Sequence, residues 1–232
     1  MLNIRDVILS IMLSIIYLNI AIKGKEMIKK EIYEAITPEN SALLIVDHQI
    51  GLYTGVRDIP ILELKHNIVG LVKAAKIFRI PIIVTTTTES MWGPIIPELA
   101  EVLNGIPIIQ RTTVNAWDDQ RVSQAIEKTD RKKLIMTGIT TDVCLTFPAI
   151  TAVGKGYDVY AVIDASGAFT VKQGELGVIR MAQAGVKVVG YSNVIVEMLK
   201  DNASPLAIEA YNCLDMPFAS LVHGLNQYFS KK

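Results

Sequence analysis

Beyond Thr37-Pro38 the chain alternates short, β-rich apolar runs with longer stretches of helical periodicity. The short runs predict strands over Ala42–Asp47, Ile80–Thr86, Pro107–Arg111, Lys133–Gly138, Val159–Asp164 and Val186–Tyr191. Between them the pattern predicts helices over Leu62–Arg79, Asp118–Lys128, Phe147–Lys155 and Glu175–Ala184. Leu43-Leu44-Ile45-Val46 is apolar at every position, which suits a strand covered on both faces, as in a parallel sheet. Strands alternating with helices predict an α/β fold: a three-layer doubly wound domain with a six-stranded, mainly parallel sheet. Gly154, Gly156 and Gly185 fall where helices should stop. Ser192–Lys232 reads as helical and peripheral, and no repeat, low-complexity tract or linker divides the domain.

This architecture locates a site before any motif is considered. In open α/β sheets, ligands bind beyond the carboxyl ends of the strands. Those ends carry Asp47, Thr85–Thr88, Arg111, Gly138–Cys144 and Asp164. A carboxylate, a guanidinium and a thiol are thereby delivered to one edge from three strands.

Composition narrows the partners. With 232 residues, half of them apolar, the chain can bury a large single core. Its 23 acidic and 23 basic side chains give no electrostatic reason to expect nucleic acid or an anionic membrane, so a small-molecule substrate is expected. Lys29-Lys30 and Arg131-Lys132-Lys133 read as solvated surface. Two cysteines, Cys144 and Cys213, form no disulfide framework and suit a reducing, cytoplasmic setting. The exception is an apolar run from Val7 to Ile22. As a helix it would span about 24 Å, short of a hydrocarbon core of roughly 30 Å. Three readings stay open: a membrane anchor, an uncleaved export signal, or translated upstream sequence with the functional start at Met27. The last is preferred, because every strand and site residue comes later. The expected division is an N-terminal extension, 1–26, and a single α/β domain, 27–232.

The chemistry concentrates in Gly138-Ile139-Thr140-Thr141-Asp142-Val143-Cys144. A strand ends at Gly138 and a helix is expected to begin near the cysteine. Free amides and the positive helix end would then favour the thiolate. A small core residue at a strand-to-helix turn is the competing account. Asp47, after four apolar residues, reads equally as a turn residue, and Arg111 alone as a surface ion-pair partner. Their joint appearance at strand ends favours a triad of Asp47, Arg111 and Cys144. His48 should point away from Asp47's face by strand alternation and could line the crevice, as could Trp117. His66, His223 and Cys213 read as structural or exposed. Pro148 cannot donate to the Cys144 carbonyl, so the helix there should begin late or kinked.

Ala42-Leu43-Leu44-Ile45-Val46-Asp47-His48-Gln49, Asn115-Ala116-Trp117-Asp118, Gly138 through Cys144, and Gly156 through Gly167 resemble the isochorismatase-like cysteine hydrolases, in particular the YcaC-type branch. The resemblance runs over roughly residues 38 to 225. It implies Asp47 as general acid/base, Cys144 as nucleophile, a cis peptide at Ile139–Thr140, and an oxyanion hole of the Thr140 and Cys144 amides. It also implies a homo-oligomer, for which the apolar positions Leu214, Phe218, Leu221 and Leu225 within Ile208–Phe229 offer a helical face. The chain departs from the family in two places. Arg111 stands where lysine is usual, a permanent cation that cannot shuttle protons. Thr85–Ser90 lacks the histidines that bind metal in related nicotinamidases, so no metal and no cofactor is expected. The expected activity is hydrolysis of an amide or carbamoyl-like C–N bond through a Cys144 thioester. The alternatives are a non-catalytic or redox-sensing relative with a reactive Cys144, and isochorismate-type ether hydrolysis.

Overall fold

The computed structural model describes residues 34–216 and 225–230, together with Met12, Ser14 and Leu221. Two compact units are distinguished, Met1–Ala35 and Ile36–Lys232. In the first, Met12 and Ser14 are helical and exposed. The rest of the Val7–Ile22 run lies outside the described residues, as do Phe218 and His223. Among the described residues, no helix is long and apolar enough to cross a membrane.

The second unit contains a six-stranded sheet whose strands are β1 (Ser41–Val46), β2 (Ile82–Thr87), β3 (Ile108–Arg111), β4 (Lys133–Gly138), β5 (Asp158–Val162) and β6 (Lys187–Val189). Their order is β3-β2-β1-β4-β5-β6 and every pairing is parallel. The main helices are α1 (Ile61–Ile77), α2 (Gln120–Glu127), α3 (Thr146–Gly154), α4 (Val171–Gln183) and α5 (Tyr191–Leu199).

Strand alternation sorts the core into two layers. Leu43 and Ile45 of β1 pack with Leu64 and Ile68 of α1 and Val194 and Met198 of α5. Leu44 and Val46 face the other way, toward Val122 of α2, Ala149 of α3 and Met181 of α4. All six β1 residues are buried, the state that its unbroken apolar run demands.

Chain order reverses between β1 and β4, which pair from Ser41↔Lys133 to Val46↔Gly138. The crevice expected of a doubly wound sheet therefore opens above Val46 and Gly138. Two predicted strand ends are shorter in the structure. Val159–Asp164 gives way after Val162 to a 3-10 turn, Ile163–Ala165. Asp164 Oδ1 there accepts from the Tyr191 amide at 2.8 Å, so this carboxylate caps α5 and is used structurally. Val186–Tyr191 shrinks to three residues because Gly190 caps the same helix.

Candidate active site

Asp47 leaves β1 with φ 58, a left-handed conformation that aspartate tolerates better than most side chains. Its amide donates to Thr85 O at 2.9 Å, and its carbonyl accepts from the Gln49 amide at 2.8 Å. This turn interrupts strand alternation and sends successive side chains to different surroundings. Asp47 meets Arg111 from the end of β3: Arg111 Nη2 donates to Asp47 Oδ2 at 2.6 Å, with both side chains fully buried. Arg111 Nη1 donates to the Thr113 and Val114 carbonyls. Both amino groups are thus committed, and Arg111 Nε is buried without a hydrogen-bond partner, while the Asp47 carboxylate also neighbours the Cys144 thiol.

Cys144 arrives from β4. The Ile139–Thr140 peptide is cis, and Thr141–Leu145 forms a π-helical turn ahead of α3. Pro148 leaves the Cys144 carbonyl without its i+4 donor, and the irregularity expected there appears as the π-helical turn that leads directly into α3 at Thr146. Close backbone approaches seat this turn. A Cβ on Gly138 would come within 3.0 Å of Leu145 N, and one on Gly177 of α4 within 2.8 Å of Asp142 Cα.

The electrostatics differ from a simple activated thiolate. Burial pushes the Cys144 thiol well above its ordinary range, and the Asp47 charge pushes the same way; the Thr140 amide and Arg111 oppose them more weakly. Burial also raises the Asp47 carboxyl, against the opposing pull of Arg111. The expected lowering of the thiol pKa by the helix end is therefore outweighed by desolvation and by the neighbouring anion.

Asp47, Thr87, Thr140 and Cys144 open onto a cavity of about 240 Å³ at the sheet's carboxyl edge. Its other walls are Leu52, Trp92, Val114, Val143 and Phe169. Val143 lies within the Gly138–Cys144 segment already singled out, but the other four were not legible as site residues. Each is an isolated apolar residue in a loop or short turn, with the same sequence signal as ordinary core. Gln49 was quoted only as part of a motif, yet it organises one wall: its Oε1 accepts from the Thr87 amide at 2.9 Å, and its Nε2 donates to Thr87 O and Gly93 O.

His48 and Trp117 do not join this cavity. His48 is fully buried, with Nδ1 2.9 Å from Tyr53 Oη and Nε2 3.0 Å from Thr137 Oγ1. Desolvation lowers its pKa to about 3, so it stays neutral and structural. Trp117 stacks edge-on against Tyr157 and lines a separate hollow with Thr151 and Lys155. Cys213 is buried and donates weakly to Glu209 O, in keeping with packing. Leu214 is buried in the chain's own core, whereas Ile208, Leu221, Leu225 and Phe229 are exposed.

The six-stranded parallel sheet with its crevice at the switch point is the α/β architecture found in the isochorismatase class of hydrolases. The isochorismatase domain family matches residues 41–191, and the chain belongs to that family. It is 38% identical over 171 residues to the probable hydrolase YcaC of Escherichia coli K12, covering 73% of this chain and 82% of that protein. The solved structure of the Escherichia coli YcaC gene product, an octameric hydrolase of unknown specificity, superposes with a TM-score of 0.81. The two share 33% identity over 86% of this chain and all of that one. YcaC from Pseudomonas aeruginosa, solved with hexane-2,5-diol and covalent acrylamide, gives a TM-score of 0.80 at 34% identity, over 84% of this chain and 98% of that one.

Proposed function

We propose that the protein is a cysteine hydrolase that cleaves an amide or carbamoyl-like C–N bond of a small molecule through a Cys144 thioester. One observation carries the reading: a buried carboxylate, held by Arg111 through one oxygen, lies beside a half-buried thiol at a small shared cavity. Covalent acrylamide in the Pseudomonas aeruginosa relative supports a nucleophile in this fold, one that adds to the alkene carbon of acrylamide and leaves its amide intact. The donor set offers one carboxylate, already committed to Arg111, which fits side-chain chemistry better than metal binding.

In the proposed reaction Asp47 Oδ1 takes the thiol proton as sulfur attacks the carbonyl carbon. The oxyanion is held by the Thr140 and Cys144 amides, donors worth a few kcal/mol each in such sites. The C–N bond then breaks with the proton passing from Asp47 to the leaving amine, and water hydrolyses the thioester. With ordinary pKa values the proton transfer alone would cost about 6 kcal/mol. Burial raises both groups in the same direction and so leaves much of that gap standing. Transfer is therefore concerted with attack, so that negative charge moves from sulfur to the oxyanion without resting on a free thiolate. Arg111 acts as a fixed charge that orients Asp47.

The same observations weigh against redox sensing, which favours exposed, low-pKa thiols. A panel of small amides tests the reading. Turnover by wild type, abolished in Cys144→Ala, is expected; turnover surviving in that variant, or absent from both, would overturn it. Assembly belongs to the proposal as well. The octameric Escherichia coli relative and the exposed Ile208, Leu221, Leu225 and Phe229 support a homo-oligomer, which a monomeric mass by light scattering at micromolar concentration would reject.

A further inference from the structure

The cavity wall carries one formal charge, Asp47, and no basic side chain. The nearest cation, Arg111, has one amino group on Asp47 and the other on two backbone carbonyls. A second anion entering this desolvated space would meet a carboxylate with no free counter-charge. An uncharged amide meets the opposite situation. Its N–H can donate to the Asp47 carboxylate, which faces the cavity beside the Cys144 thiol.

Size is restricted by seated walls. The volume of about 240 Å³ falls below the roughly 300–1,000 Å³ of drug-sized ligand sites. Trp92 is fixed from behind: a Cβ on Gly51 would lie 2.7 Å from Trp92 O, and Gln49 Nε2 holds the next carbonyl, Gly93 O, at 2.7 Å. Phe169 rests its ring on Gly55, where a Cβ would come within 2.6 Å of it. Each glycine allows an approach that any other residue would block, so both aromatic walls are held inward.

Resting on the proposed nucleophile, we infer that the site selects compact, uncharged carboxamides and turns away carboxylate-bearing molecules, with Trp92 and Phe169 setting the size limit. This selection excludes dianionic substrates of the isochorismate type and favours short aliphatic amides.

Alkylation of Cys144 in the full-length protein reads the selection without requiring turnover. Iodoacetamide and iodoacetate both transfer a carbon to sulfur, with iodide leaving on its electron pair and the thiol proton passing to solvent. They differ in amide against carboxylate. Rates at Cys144, located by peptide mass mapping and divided by those of free N-acetylcysteine, should favour iodoacetamide by about tenfold or more. Acrylamide should likewise outpace N-tert-butylacrylamide, and Phe169→Ala should remove most of that difference, with Phe169→Leu intermediate. A normalised iodoacetamide-to-iodoacetate ratio near one would overturn the charge selection while leaving the nucleophile in place. An acrylamide series unchanged in both Phe169 variants would overturn the size limit. A Cys144 that reacts with none of the four reagents would remove the nucleophile and the selection together.

Discussion

Replacing Arg111 by methionine deletes a buried cation beside a buried carboxylate while keeping an apolar stem of similar length. Removing one partner of a buried ion pair typically costs ~3–5 kcal/mol, because the remaining charge is stranded. For a domain of this size, each kcal/mol lowers the melting temperature by about 2–4 °C, so a loss of roughly 6–20 °C is expected near pH 8. The deficit should depend on pH in a defined direction. Burial already raises the Asp47 carboxyl above 3.8, and the Arg111 charge is the largest influence holding it down. Without that charge the folded-state value climbs further above the unfolded one. A carboxyl raised on folding is most favourable in its protonated form, so its contribution is present at low pH and lost as pH rises through the folded value. Each unit of additional shift is worth ~1.4 kcal/mol above that point. The gap between wild type and Arg111→Met should therefore narrow as the buffer is taken from pH 8 to pH 5. Melting followed by circular dichroism across that range measures it. Asp47→Asn/Arg111→Met, which lacks the titrating group, should show a much flatter gap. A gap below about 1 kcal/mol, or one that widens on acidification, would refute the account of Asp47 and Arg111 as a mutually dependent buried pair.

Asp47→Asn should lower the Cys144 pKa, since the Asp47 charge is among the influences raising it, and so speed iodoacetamide labelling at pH 8 while amide turnover is lost. Labelling that slows in parallel with turnover would count against this reading. Gly177→Ala should cost about 1–3 kcal/mol in thermal stability and reduce turnover, because its Cβ would press on the backbone of the turn that carries Cys144. A variant with unchanged melting temperature and turnover would show that this contact does not seat the nucleophile.

The strand positions were legible because period-2 burial on both faces of a parallel sheet leaves an unbroken apolar run, as in Leu43–Val46. The strand ends were less so. Asp47 was read as the last residue of β1, but its left-handed backbone ends the strand one residue earlier. Asp164 was read as a strand end, whereas it turns back to cap α5, a contact 27 residues away that no local pattern encodes. Predicted Glu175–Ala184 begins four residues earlier as α4, where the Thr170 hydroxyl accepts from the Gln173 amide and starts the helix. At the site, Asp47, Arg111 and Cys144 could be found because polar residues at the ends of apolar runs stand out. Trp92 and Phe169 could not, since an apolar residue facing a cavity and one facing the core look alike until the chain is folded. The influences on the thiol divide in the same way: a helix terminus is local and visible, whereas the Asp47 charge that raises the Cys144 pKa comes from the end of β1, nearly a hundred residues away.

Asp47 and Cys144 leave from β1 and β4, the adjacent central strands, whereas Trp92 and Phe169 belong to loops after β2 and β5. Under the proposed reading, reaction and recognition therefore lie on separate segments. The spacing of the reactive pair is anchored by hydrogen bonding between neighbouring strands at the middle of the sheet, where there is little room for drift. The loops after β2 and β5 can lengthen, shorten or exchange their aromatic residues without disturbing that spacing. On the proposed reading, a lineage built on this sheet could change its substrate while keeping its chemistry, and a library confined to residues 88–96 and 166–170 would explore the same freedom in the laboratory.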